Sequence, residues 1–362
     1  MSKQNKYYNI KPLLDLDAEY NIIMGERSNG KTYSVLKTMI ENYLENGTYG
    51  AYIRRYADEI LPSNLKMLFN PFDIEKMTKG KYNKIQYRGK QFDIGLYDSE
   101  KDKWETREPF CFCAALNTWE NAKGPDRGEV GVILFDEFLT RRYYLTNEFL
   151  CFQNVLSSFI RDREHVKVFL VGNTVSFYSP YFEEFGLEDI KNLKPGDLTC
   201  YSFQNGTKIA IDYCASVGEE KASAKFFNFN SNKANMITTG KWEIPDYPHY
   251  PKSIDFVREV VFRFYIRFDN DLICGNIIQK PERVFIYFHK QTKDIEDDEN
   301  FVYSTKLSDN PKHCVQFRQG TLDVQRLVYN LITQNRIFFS DNKTGEIFNN
   351  YYKWQQRYTI IG

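Results

Sequence analysis

The stretch Gly25-Glu26-Arg27-Ser28-Asn29-Gly30-Lys31-Thr32 constrains the fold of this 362-residue chain more than any other. Its spacing is G-x-x-x-x-G-K-[ST] without a mismatch. A short apolar run, Tyr20 to Met24, precedes it. A helical pattern through Val35, Leu36, Met39, Ile40 and Tyr43 follows. Strand, glycine-rich turn and helix in that order form a phosphate cradle. Gly25 and Gly30 let the backbone wrap closely, and the N–H groups at the helix start face an anion that the helix dipole favours. Glu26, Arg27, Ser28 and Asn29 make the loop between them. Lys31 reaches terminal phosphates, and the Thr32 hydroxyl can sit on Mg²⁺. The octet alone could be a chance match in a loop. The strand before it and the helix after it select nucleotide binding.

The length predicts two domains and a sizeable core. Lys plus Arg and Asp plus Glu are equal at 48 each, so any contact with nucleic acid must come from local patches. The seven cysteines are scattered, with no C-x-x-C pair, and the four histidines lie far apart. That argues against a disulfide framework and against a zinc or histidine metal site. No apolar stretch is long enough to span a bilayer, and Met1 to Lys11 is polar without a signal-peptide core. A reduced, cytosolic protein without a membrane partner is expected.

Along the chain, Tyr49 to Tyr56 reads as a second core strand ending in Arg54 and Arg55, at the carboxyl edge where open α/β sheets bind ligands. Surface ion pairs are the competing reading for either arginine. Residues 57–70 read as a helix. A basic stretch then leads into a hairpin over 85–94, and Lys79, Lys81, Lys84, Arg88 and Lys90 with interleaved tyrosines are candidates to grip a phosphate backbone. A solvated, edge-protecting hairpin is the alternative. Val130 to Phe135 is an uninterrupted apolar run ending in Asp136-Glu137, a Walker B pattern on a central parallel strand. Asp136 would hold Mg²⁺, and Glu137, pointing to the other side, would orient and deprotonate the attacking water.

A helix over 148–162 ends at Arg161 and Arg163, and the strand Val166 to Asn173 follows at once. Asn173 at that strand tip is placed to sense the terminal phosphate, though a helix-capping Asn competes. Arg161 first, and Arg163 second, are placed to act as an arginine finger supplied in trans, with a surface ion pair as the other reading. Residues 187–213 read as late strands of the first domain, which spans 1–213. Residues 214–252 read as a linker or lid region. From 253 to 362 three strands followed by helices predict a smaller α/β domain.

There is no N-K-x-D guanine signature and no L-S-G-G-Q, and kinases of this fold rarely carry a glutamate like Glu137. What remains is α/β, an additional-strand P-loop ATPase with a mostly parallel sheet, acting as a motor.

The chain resembles the DNA-packaging ATPases of phi-29-like small tailed phages, relatives of the large-terminase motors. The resemblance rests on Gly25 to Thr32, Tyr52-Ile53-Arg54-Arg55-Tyr56, Trp119 with Lys123, Ile133 to Phe138, and Phe159 to Glu164 into the strand ending at Asn173. It implies a homopentameric ring at the portal vertex of a prohead in the host cytoplasm. That ring translocates double-stranded DNA by hydrolysing ATP with Mg²⁺ and is not expected in the mature virion. It implies Arg161 as the trans finger and Lys123 as a second trans-acting residue. In terminases the second domain is an RNase H-like nuclease using clustered carboxylates and two metals. The strands Val260–Phe268 and Arg283–Phe288 lack mid-strand acidic residues, so a vestigial nuclease fold without nuclease activity is expected, docking in some members onto a packaging RNA. Two alternatives stay open. One is another ring ATPase, such as a helicase or conjugation pump. The other is a non-hydrolysing, nucleotide-dependent scaffold binding RNA or protein.

Overall fold

The computed structural model describes residues 8–27, 29–122, 128–140, 144–161, 163, 165–174, 179–215, 246–269, 271–306, 308–318 and 320–356. The chain divides into two compact units, Met1–Glu243 and Ile244–Gly362. Within the 214–252 region, residues 216–245 lie outside the described set.

The first unit runs α1 (Lys11–Leu14), β1 (Tyr20–Gly25), α2 (Lys31–Asn46), β2 (Tyr49–Arg54), α3 (Pro62–Leu65), α4 (Ile74–Met77), β3 (Lys84–Arg88), β4 (Gln91–Asp98), β5 (Lys103–Ala115), β6 (Val130–Asp136), α5 (Glu148–Ile160), β7 (Lys167–Asn173), α6 (Pro180–Glu184), β8 (Leu198–Ser202) and β9 (Lys208–Tyr213). Its nine strands form one sheet in the order β3-β4-β5-β2-β6-β7-β1-β9-β8. From β5 to β9 all neighbours are parallel, while β3–β4, β4–β5 and β8–β9 are antiparallel. This is a mostly parallel mixed α/β sheet. Its central strands are continuous apolar runs because both of their faces are covered. In β6 every residue from Val130 to Asp136 is buried. Helix α2 buries Val35, Leu36, Met39, Ile40 and Tyr43 against the sheet, the stripe its 3.6-residue period predicts. Gly47 closes it at φ +73, with its N–H on the Tyr43 carbonyl at 3.0 Å.

Residues 57–70 do not form the single helix expected. A 3₁₀ turn over Ala57–Ile60 stops at Leu61, which is extended (ψ 155) because Pro62 follows it, and α3 then begins at Pro62.

The second unit carries β10 (Val260–Phe268), β11 (Asp271–Lys280), β12 (Arg283–Lys290), β13 (Val302–Ser304), β14 (His313–Cys314), α7 (Asp323–Thr333), β15 (Ile337–Phe339) and α8 (Asn342–Gln355). Its sheet has the order β14-β13-β10-β11-β12-β15. The first three strands are an antiparallel meander, and β13, β14 and β15 join in parallel. The core is aromatic: Phe264 meets Phe288 edge-on at 5.8 Å, and α8 packs down through Phe348 and Tyr351. The meander and α7 match the pattern of three strands followed by helices. The three added strands, two or three residues each, are too short for any period to mark. The sequence places the last helix over Phe348 to Tyr358, of which 357–358 lie outside the described residues; α8 starts earlier, at Asn342, because the Asp341 carboxylate caps it by accepting from the Thr344 N–H at 2.8 Å.

Candidate nucleotide site

Strand order brings the two motifs together. β7 lies between β1, which leads into the glycine-rich loop, and β6, which ends in Asp136. All three strands run the same way, so their carboxyl ends share one edge. There Lys31, Thr32, Asp136, Glu137 and Asn173 line one cavity of ≈ 430 Å³.

The loop needs its glycines. Gly25 has φ +153, and a Cβ on it would stand 3.0 Å from the Cys214 Cβ. Gly30, at φ +90, is the N-cap of α2. Between them Glu26 and Asn29 are buried, and Asn29 Oδ1 accepts from the Lys31 N–H at 3.3 Å. Arg27 lines the cavity, and Ser28 lies outside the described residues. The Lys31 ammonium turns inward, donating to the Glu26 carbonyl, to the Gly25 carbonyl at 3.4 Å and to Asn173 Oδ1 at 3.4 Å. Asn173 pairs in register with Gly25 at the ends of β7 and β1, which is why the strand tip reaches the loop.

Asp136 is 9% exposed. Thr32 Oγ1 donates to its Oδ1 at 2.9 Å and the Tyr52 hydroxyl to its Oδ2 at 3.0 Å, and Arg54 Nη1 lies 3.5 Å from Oδ2. Burial pushes the Asp136 carboxyl up, and Arg54, Thr32 and Tyr52 pull it back. A buried carboxylate and a hydroxyl converging on the cavity fit Mg²⁺, which needs one or two protein oxygens when substrate phosphates complete its shell.

Glu137 stands at φ +59, outside the extended region of β6. That turn corrects one expectation. Successive residues of a strand point to opposite faces, yet Glu137 lines the same cavity as Asp136. Its Oε2 accepts from Arg54 Nη2 at 2.8 Å, and the same nitrogen donates to Glu59 Oε1 at 2.9 Å. Burial works against the Arg54 charge, but Tyr52, Glu59, Glu137 and Asp136 drive its pKa upward.

Arg54 and Arg55 are therefore not where a nucleic acid would meet them. The Arg54 side chain is 14% exposed and committed to three carboxylates. Arg55 is 5% exposed and forks onto Glu148, with Nε 2.9 Å from Oε2 and Nη2 3.0 Å from Oε1. Both point into the fold because acidic partners lie there. Lys79, Lys81, Arg88 and Lys90 are exposed on or beside the β3–β4 hairpin, at the sheet edge farthest from β8. Lys84 is half-buried there, its ammonium 3.2 Å from the Tyr97 ring centre.

Arg161 follows α5 as its C-cap at φ +48, and the residue is exposed. Arg163 folds back, Nη1 donating to the Phe159 carbonyl at 2.7 Å. Neither lines the cavity. Lys123 lies outside the described residues. Tyr52, Glu59 and Glu148 belong to the site's polar network although the sequence reading gives none of them a role there. Tyr52 and Glu59 sit close to Arg54 in sequence, but Glu148 is 93 residues from Arg55, beyond the reach of any local pattern.

The model of the podovirus DNA encapsidation protein family (Gp16) matches residues 1–229. This chain belongs to the podovirus DNA encapsidation protein family. It is 30% identical over 179 residues to the DNA packaging protein of Bacillus phage B103, covering 48% of this chain and 50% of that one. It is 27% identical over 184 residues to the DNA packaging protein of Bacillus phage phi29, covering 50% of each. The chain thus spans about half the length of these encapsidation relatives. In fold it is similar to a chain of the bacteriophage phi29 viral genome packaging motor assembly, at TM-score 0.56 and 20% identity, over 98% of this chain and 99% of that one.

Proposed function

We propose that this encapsidation-family chain is an ATP-hydrolysing motor subunit that drives double-stranded DNA into a prohead. The observation that carries the reading is the convergence of Lys31, Thr32, Asp136, Glu137 and Asn173 on one cavity, with β7 inserted between the strands of the two motifs. That insertion supports an additional-strand ATPase. Thr32 and Asp136 would hold Mg²⁺, which when bound would supply charge neutralisation for the phosphates. Lys31 leaves its loop carbonyls for the terminal phosphates. Glu137 accepts the proton of the attacking water, released for this from Arg54. Asn173 contacts the terminal phosphate from the β7 tip. Arg161, exposed beyond α5, serves a neighbouring subunit as the finger. Arg163, turned onto its own helix, is the weaker candidate, and Lys123 stays a second trans-acting candidate.

Family membership supports a homopentameric ring at the portal vertex in the host cytoplasm, lost before the virion matures. Among the described residues no helix is long and apolar enough to cross a membrane. In the second unit, β12-β11-β10-β13-β14, a meander extended by two parallel strands, is the arrangement expected of an RNase H-like fold. No Asp or Glu lies in β10, β12 or β13. Both points support a vestigial nuclease domain that docks on the portal complex or a packaging RNA. The hairpin lysines with Arg88 are the candidates to touch DNA.

The test is ATP turnover by the full chain, on its proheads, with and without long double-stranded DNA. Arg161→Ala and Glu137→Gln are measured singly and mixed. Turnover stimulated by DNA, lost in each variant and partly regained in the mixture, is the expected result. No turnover under any condition favours a nucleotide-dependent scaffold. Stimulation by forked DNA alone favours a helicase.

A further inference from the structure

We propose that Arg55 and Glu148 form a positioning pair that holds the backbone of Glu137 in the conformation its proton-accepting role requires. The inference rests on the reading of Glu137 as the base for ATP hydrolysis.

Arg55 lies just past β2, beneath the end of β6, and its donors are divided between two targets. Nε and Nη2 grip the Glu148 carboxylate at 2.9 to 3.1 Å. Nη1 donates to the Glu137 carbonyl at 3.1 Å and Nη2 to the Phe138 carbonyl at 2.5 Å. The guanidinium carbon sits 5.7 Å from the Phe135 ring centre and 5.2 Å from that of Tyr144. Glu148, its side chain fully buried, is held from the other side by the Tyr181 hydroxyl at 2.8 Å and the Leu145 N–H at 2.7 Å. A second tie acts on the same turn: the Phe138 N–H donates to the Val171 carbonyl of β7 at 3.2 Å.

What these bonds hold is an uncommon backbone. A glutamate at φ +59 persists only where its surroundings over-determine it. Left extended, residue 137 would point away from Asp136 and out of the cavity. The carbonyls of Glu137 and Phe138 are the groups whose direction sets that turn, and one guanidinium takes both. Stability alone would not call for this. A buried ion pair is often matched or bettered by apolar side chains of similar volume, but apolar side chains cannot donate to two carbonyls. Glu148 also opens α5, the helix that Arg161 closes, so the pair ties the base to the helix carrying the candidate finger.

The test uses the full chain on its proheads with long double-stranded DNA. Three quantities are read: kcat, affinity for a fluorescent ATP analogue with Mg²⁺, and Tm. In Arg55→Lys the donors radiate from a single nitrogen and cannot span the carboxylate and both carbonyls that the three guanidinium nitrogens reach. We expect kcat to fall about a hundredfold, as for a misplaced catalytic group, with nucleotide affinity within about threefold of wild type. The double variant Arg55→Met with Glu148→Met removes both charges together. Its Tm should return to near the wild-type value while kcat stays low. Recovery of kcat together with Tm would reduce the pair to packing and overturn the proposal, as would wild-type kcat in Arg55→Lys. Glu137→Gln separates the two claims. If it abolishes turnover while Arg55→Lys does not, only the positioning role falls. If the wild type itself shows no turnover, both fall.

Discussion

Replacing Thr32 by valine keeps the shape of a β-branched side chain in the first turn of α2 and removes one hydroxyl. That hydroxyl donates to Asp136 Oδ1 at 2.9 Å, and Asp136 is 9% exposed, so the carboxylate cannot recover the bond from bulk water. A hydrogen bond to a charged group contributes about 1.5–3 kcal/mol. The Tyr52 hydroxyl and Arg54 remain, which favours the middle of that range, about 2 kcal/mol. For a unit the size of Met1–Glu243 this lowers Tm by about 4–8 °C. The loss depends on pH. Burial raises the folded Asp136 pKa above its ordinary 3.8, so stability falls as pH rises from 3.8 through the folded value. Without Thr32 the folded value rises further, and the fall extends to higher pH. The gap between variant and wild type therefore opens as pH rises through the folded values and closes in acid, where Asp136 is protonated in both. Mg²⁺-ATP gives a second reading. At about a hundred times its Kd a ligand stabilises the folded state by about 2.7 kcal/mol. Wild type should show that gain, and Thr32→Val should lose most of its Mg²⁺-dependent part. Thermal melts from pH 4 to 8, with and without Mg²⁺-ATP, check all of this. Coincident melts at neutral pH with equal gains from Mg²⁺-ATP would refute the argument.

Two predictions concern other places. Asp341→Ala removes the cap of α8 and should destabilise the second unit by about 1 kcal/mol in urea unfolding at neutral pH. Burial alone would raise the Asp341 carboxyl, but Ser340 and Thr344 hold it below its ordinary value. Its contribution is present above pH 3.8 and fades below, so the variant's deficit should shrink in acid. Burial and Asp212 push the Cys214 thiol up to about 12 despite Lys31 nearby, whereas Cys200 is exposed. Iodoacetamide at pH 8 should label Cys200 and spare Cys214, as read by peptide mass spectrometry.

Much of the candidate nucleotide site is legible in sequence because its parts are local. The octet from Gly25 to Thr32 is contiguous, the stripe on α2 repeats every turn, and β6 announces itself as an apolar run ending in two carboxylates. Each signal reflects physics acting within a few residues: glycine's freedom at positive φ, helix period, and burial of a strand on both faces. Partner choice is different. Arg54 and Arg55 look alike as paired cations after a strand, and only the folded chain shows one gathered among Glu59, Asp136 and Glu137 and the other forked onto Glu148.

The chain's residues by themselves determine that a glycine-rich loop with phosphate-loop spacing joins β1 to α2, and that a carboxylate pair closes a buried strand. Tertiary structure decides that β7 separates those strands, that Asn173 stands beside Gly25, and that Glu137 turns back to share a cavity with Asp136. Local preference can specify an element and its buried face. Strand order, and the direction of a side chain at a positive φ, are set by bonds between residues tens of positions apart. Those bonds exist only once the sheet has assembled.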